Sequence, residues 1–193
     1  NDIVFGIEST GIAYSNLNPG FLFAEAGGAI TVPAVREPVM VRSFVKHKGE
    51  KKTHVISVGE PGAVNYSYDL SSGGFLQCWR GDFVETTLMW NERGEPQVAE
   101  PLGSIIEFSG KPTVAFLSDQ NMMWPDSNAT YNYKGYDISE KGHPIIKYAV
   151  ENAQIRESLV AEDSGRELSH SIAVVSSEKT VWCRIAEGPS IVR

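Results

Sequence analysis

Apolar and polar residues alternate along most of this chain. Runs of period two recur at 3–7, 29–35, 39–45, 53–58, 74–80, 83–90, 104–108 and 113–117, and again at 131–138, 145–150, 156–160, 167–175 and 181–185. That spacing puts every second side chain on one face, as a half-buried β-strand requires. Glu-Pro, Pro-Gly, Ser-Gly-Gly, Arg-Gly and Lys-Gly steps punctuate the runs, and such steps favour turns because Gly reaches positive φ and Pro fixes its own. The one stretch with helical character is 151–162, where Ile155, Leu159 and Glu162 make a thin stripe; its segment 156–160 also reads as an edge strand. The pattern predicts an all-β fold, an antiparallel β-sandwich with long loops and little helix, because α/β crossovers need helices this sequence does not offer. Residues 29–193 are expected to form the sandwich domain and 1–28 an N-terminal strand and linker or arm, with 3–7 pairing to the main sheet or to another subunit.

Composition narrows the classes. At 193 residues the chain suits one domain of ordinary size, with enough core to fold without metal or disulfide. Seventeen Lys and Arg against 24 Asp and Glu leave a net charge of -7, which argues against a nucleic-acid surface or an anionic membrane as partner. No apolar run reaches membrane-spanning length. Cys78 and Cys183 are too far apart in sequence for a Cys-x-x-Cys redox pair, a zinc knuckle or a c-type haem attachment. Each lies beside a tryptophan in a strand-like run, so one bridge between two strands and two separate buried thiols both stay open. The chain opens at Asn1 without an initiator Met or a recognisable leader, a start shared by processed export products and trimmed chains.

Candidate chemistry gathers in two places. Trp79, Arg80, Asp82, Glu85 and Trp90 fall close together around Gly81, read as a turn or bulge. An aromatic plate with planar polar groups at a strand end suits sugar recognition; the competing reading has both tryptophans in the core and Arg80 paired with Asp82. The loop 118–133 is polar yet carries Met122, Met123, Trp124, Tyr131 and Tyr133. Folded over Trp79, its Trp124 and Asp126 would complete a glycan cleft; alternatively its aromatics seal the sandwich edge. Asp119, Asn121 and Asp126, turned inward, would suit calcium, although their spacing is not that of a helix-loop-helix site; no other cofactor or metal is expected. Asp82 or Glu85 opposite Asp119 or Asp126 would supply the paired carboxylates of a glycan hydrolase or lyase. The histidines are scattered: His54 alternates with Ile56 and Val58 as an inward residue would, His143 marks a turn, and His170 sits in a strand between serines. Asn65-Tyr66-Ser67 and Asn128-Ala129-Thr130 match the N-glycosylation pattern.

Three segments carry a family likeness. Gly74-Phe75-Leu76-Gln77-Cys78-Trp79-Arg80-Gly81-Asp82-Phe83 is one. The second holds Arg42-Ser43-Phe44 and Asn65-Tyr66-Ser67-Tyr68-Asp69, and the third holds Lys134-Gly135-Tyr136-Asp137 and Gly142-His143-Pro144. Together, over 38–185, they resemble an uncharacterised β-rich module of large exported bacterial proteins, found beside domains related to family 16 glycoside hydrolases, trehalose-utilisation-like domains or c-type cytochromes. The resemblance implies an extracellular or periplasmic location and a carbohydrate-related context, and it carries no catalytic residues over. The expectation is therefore a noncatalytic binding module contacting a glycan or a neighbouring protein domain through Trp79, Arg80, Asp82, Trp90, Trp124 and Asp126. A structural or assembly module without its own ligand is the alternative, and a carboxylate-dependent glycan enzyme the third.

Overall fold

The computed structural model describes residues 28–62, 64–90, 97–162, 165 and 167–186; the run at 3–7 and most of the expected arm lie outside them. The described strands build an antiparallel sandwich with almost no helix, as the alternation predicts. In the first sheet β2 (Val39–His47) and β3 (Glu50–Gly59) form a hairpin turned by Lys48 and Gly49 at φ 48° and 84°. Positive φ at both turn residues matches the right-handed twist of the paired strands. Next come β4 (Val64–Asp69) and the long β5 (Gly74–Glu85), flanked on its far side by β6 (Glu100–Glu107). Beyond the end of β4, the last residues of β5 pair with β1 (Thr31–Val32). The second sheet runs β8 (Asn132–Ile138), β9 (Pro144–Val150), β10 (Ala153–Ala161), β11 (Leu168–Ser176), and β7 (Val114–Ala115) pairs with β12 (Trp182–Cys183).

The core lies between the sheets. Ile56, Val58, Tyr66 and Tyr68 of the first meet Ile146, Tyr148, Ile155 and Leu159 of the second. Full burial of one such aliphatic side chain stabilises the fold by about 1.5–3 kcal/mol. The outer face of the first sheet is covered too: Val32, Val41, Trp79, Phe83, Val84 and Ala99 make a second cluster, with Met89 and Trp90 of the single helical turn α1 (Thr87–Trp90) packed on it. Strand β4 is consequently buried on both faces at every position, although Val64-Asn65-Tyr66-Ser67-Tyr68-Asp69 alternates apolar with polar along the chain; the expected strands do not include it.

Four expectations are corrected by this packing. The stretch 151–162 is neither helix nor edge: β10 lies between β9 and β11 with Ala153, Ile155, Glu157 and Leu159 inward. The runs 74–80 and 83–90 are not two strands about a turn: β5 continues through Gly81, with a bulge in its register on β6 between Asp82 and Val84, and then gives way to α1. There Gly81, at φ 136°, opposes Gly103, and a Cβ on Gly103 would stand 2.0 Å from the Arg80 carbonyl oxygen. Of the run 113–117 only the two residues of β7 are strand. His54 is exposed, since the inward positions of β3 begin at Val55.

Candidate functional site

The three tryptophans expected at a ligand surface are placed differently from one another. Trp79 is 1% exposed and stacks on Phe83, with centroids 6.0 Å apart and rings 3° from parallel. Its indole N–H points to the Asp82 and Phe83 carbonyls at 3.1 and 2.9 Å, so neither face nor edge meets solvent. Trp90 packs half-buried against the same cluster. Trp124, also half-buried, donates its indole N–H to the Pro112 carbonyl at 2.8 Å, and Asp126 pairs with Lys111 at 2.9 Å. The loop 118–133 is thus pinned against the approach to β7, with Asn128 Nδ2 donating to the Val114 carbonyl at 3.2 Å. Arg80 and Asp82 are both exposed; Asp82 lines a hollow with Glu60, Asn65, Phe83 and Leu102. Asp119 accepts the Asn121 backbone N–H at 2.8 Å, and among the described residues no three His, Cys, Asp or Glu side chains gather as a metal would need. Asn65 is 1% exposed within β4, a poor acceptor for a glycan in the folded chain.

The most organised polar constellation was not foreseen. Glu157, 0% exposed, occupies a core position of β10 between Ile155 and Leu159. Its Oε2 accepts the phenol protons of Tyr68 and Tyr148 at 2.7 and 2.6 Å, and its Oε1 accepts His170 Nε2 at 2.7 Å and Thr113 Oγ1 at 2.9 Å. The Thr113 hydroxyl also lies 3.2 Å from the Gly73 carbonyl, a second acceptor for its one proton. Four donors saturate a carboxylate that would otherwise be costly to bury. They come from both sheets and from the segment before β7, so the network bolts the sandwich together. Burial and the adjoining Glu157 charge push the Tyr68 and Tyr148 phenols far above their ordinary range. Tyr131 packs against Tyr148 with ring centroids 5.0 Å apart and planes tilted by 34°, and its phenol is raised for the same reasons. The sequence signal was present: a lone Glu in phase with Ile155 and Leu159 of an alternating strand.

A second internal pair lies at the other side of the core. His143 Nε2 stands 3.0 and 3.1 Å from the two Glu60 oxygens, both residues being buried. Burial pushes the Glu60 carboxyl above its usual value against the opposing pull of His143. His143 therefore serves a core contact beyond its turn. His47 is buried as well, its Nε2 3.0 Å from the Phe108 carbonyl. Cys78 and Cys183 stand as separate thiols, half-buried and exposed respectively, and burial raises the pKa of both.

Along one side of the sandwich the sheets end at β6 and β11. A cleft of about 320 Å³ opens between them, lined by Phe75, Cys78, Ile106, Phe108 and Leu168. Phe75 and Phe108 stack there at 4.5 Å. Ile106 is 62% exposed, Val175 58% and Val174 44%, a concentration of apolar surface on two strands at the edges of the described sheets. His170 reaches this side from the Glu157 network, beside Arg184, whose guanidinium holds Ser109 Oγ at 2.6 Å and the Lys111 carbonyl at 2.7 Å. Comparison with family models, curated proteins and solved structures finds no match.

Proposed function

We propose that this chain is a noncatalytic β-sandwich module that works by contact, as a structural or assembly element of an exported, carbohydrate-related protein. The observation that carries the reading is the exposed apolar side along β6 and β11, set against functional groups that are spent internally. Glu157 is saturated by four donors, Glu60 is engaged by His143, and Trp79 is closed off by the second cluster. A glycan platform needs open aromatic faces, and here the tryptophan at the centre of the expected platform is buried in the core. The exported setting and the link to carbohydrate rest on the sequence resemblance.

Calorimetric titration with a panel of soluble oligosaccharides, paired with release assays on chromogenic glycosides, tests this. The expected result is neither saturable heat nor turnover. Saturable sugar binding abolished by Trp90→Ala or Trp124→Ala, in variants that melt like the parent, would replace the assembly reading with the glycan-binding one.

A further inference from the structure

Among the described residues the two large sheets end at the two-residue β1 and at four longer edge strands, three of which are guarded. Strand β2 carries Arg42 and Lys46, is interrupted by a bulge between Ser43 and Val45, and is capped by the 97–99 segment through the Ala99 N–H to Phe44 carbonyl bond of 2.8 Å. Strand β6 has Pro101 and a glutamate at each end. Strand β8 carries Lys134 and Asp137 and is broken by a bulge at Gly135, φ 94°. Charges, prolines and bulges are the devices by which edges resist pairing with other chains. Strand β11 has none of them over Leu168–Val174: no Lys, Arg, Asp, Glu, Pro or Gly, and a regular register against β10 that shifts only at Val175.

Resting on the assembly reading, we infer that β11 pairs with β11 of a second copy of this chain, antiparallel about a two-fold axis at Ser171. This register sets Leu168 opposite Val174, His170 opposite Ile172, Ser169 opposite Ala173 and Ser171 opposite itself. Leu168, His170, Ile172 and Val174 stand on the core face, in register with Ala161, Leu159, Glu157 and Ile155, while the small residues share the other face. Leu168 meets Val174, small meets small and the His170 ring lies against Ile172, each pair occurring twice about the axis as a two-fold contact demands. A chain of net charge -7 repels its copies over most of its surface, and this stretch brings no acidic group to the contact.

Size supports a discrete dimer. The paired stretch 168–174 runs about 24 Å, and a side wall of that length and about 20 Å depth hides about 480 Å² per copy, or about 950 Å² in total. That is close to the roughly 1,000 Å² of a small specific interface, the size of a reversible contact. The joined eight-stranded sheet would end at β8 in both copies, where Lys134, Asp137 and the Gly135 bulge stop further addition, so the contact closes instead of growing into a fibre. The Ile106 side chains beside β11 would be covered by the same docking.

Sedimentation velocity up to about 100 µM is the test, because contacts of this size commonly fall in the micromolar range or tighter. The expected result is a reversible dimer. Ser171→Lys places two ammonium groups directly across the axis from an exposed site, and is expected to weaken the dimer about tenfold or more while the thermal midpoint of the monomer is kept. Ser171→Cys is expected to cross-link covalently on mild oxidation, whereas the parent chain, with its exposed Cys183, is not. A parent chain monomeric throughout the range, an open-ended aggregate, or a dimer indifferent to Ser171→Lys and uncoupled from Ser171→Cys would overturn the pairing. Those outcomes leave the oligosaccharide titration untouched, so failure of the dimer and failure of the assembly reading are read in different experiments.

Discussion

Replacing Glu157 by Leu keeps roughly the side-chain volume and removes the acceptor at the centre of the core network. Of its four donors two have somewhere else to go: Thr113 can turn its proton to the Gly73 carbonyl 3.2 Å away, and His170, with 30% of its side chain exposed, can reach solvent. The Tyr68 and Tyr148 hydroxyls, which share Oε2, would face hydrocarbon. A buried donor left without a partner costs about 1–3 kcal/mol, and removing one member of a buried charged cluster about 3–5 kcal/mol, so E157L is expected to lose about 4 kcal/mol. With a urea dependence of about 2 kcal/mol per molar for a domain of this size, the unfolding midpoint should fall by about 2 M. The informative comparison is the triple variant E157L/Y68F/Y148F. Since it removes the orphaned donors along with their acceptor, it should be more stable than E157L by about 2 kcal/mol or more. Urea unfolding followed by circular dichroism and by tryptophan fluorescence gives both numbers. An E157L midpoint within experimental error of the parent, or a triple variant less stable than E157L, would refute the view that donors stranded in the core set the cost.

Alkaline titration should break the fold in one step. Tyr66, Tyr68, Tyr131 and Tyr148 are all raised above the ordinary value of 10.0, chiefly by burial, so each contributes stability that is intact below pH 10 and lost as the pH climbs towards its folded value. At about 1.4 kcal/mol per pH unit for each group, the four together cost about 8 kcal/mol by about pH 11.5, comparable to the whole stability of a domain. Tyrosinate absorbance should therefore rise cooperatively with loss of circular dichroism; a smooth titration of all seven tyrosines near pH 10 in a folded chain would contradict this. Gly103→Ala should cost about 2–4 kcal/mol in thermal or urea unfolding, since its Cβ would displace the β5 backbone at Arg80, and a parent-like melt would show the two strands are less closely joined than they stand here.

Most strands could be read from the sequence because most have one dry face and one wetter face. Strands β9 and β10 show the rule plainly, each alternating inward apolar residues with more accessible ones. The failures share a cause. Strand β4 alternates in sequence yet is dry on both sides: its Asn65, Ser67 and Asp69 are polar groups satisfied inside the protein, where Ser67 Oγ meets Ser57 Oγ at 2.8 Å and Asn65 accepts the Glu60 N–H at 3.0 Å. Glu157 escaped notice because a charged residue reads as solvent-facing until its partners are known, and those partners come from β4, β9, β11 and the segment before β7. Alternation carries the inward phase of β10; only the folded arrangement carries the donors that make a glutamate tolerable there. For Trp79 the reverse held, since a tryptophan beside Arg and Asp suits a ligand surface and a core equally well until Phe83 and α1 are seen to cover it.

The unequal length of the strand pairings gives the module a definite response to pulling. The described chain enters through β1 and leaves through β12, and each is paired over two residues, Thr31 and Val32 on β5, and Trp182 and Cys183 on β7, with Ile30 bonded to Thr86 and Thr87 and Arg184 to Ser109, Lys111 and Thr113. Load applied along the chain would meet these short attachments first and peel them, lengthening the tether while β2 to β6 and β8 to β11 stayed closed around the core. Built this way, the sandwich would act within a longer polypeptide as a stiff bead between two yielding links, absorbing small extensions without surrendering its folded body.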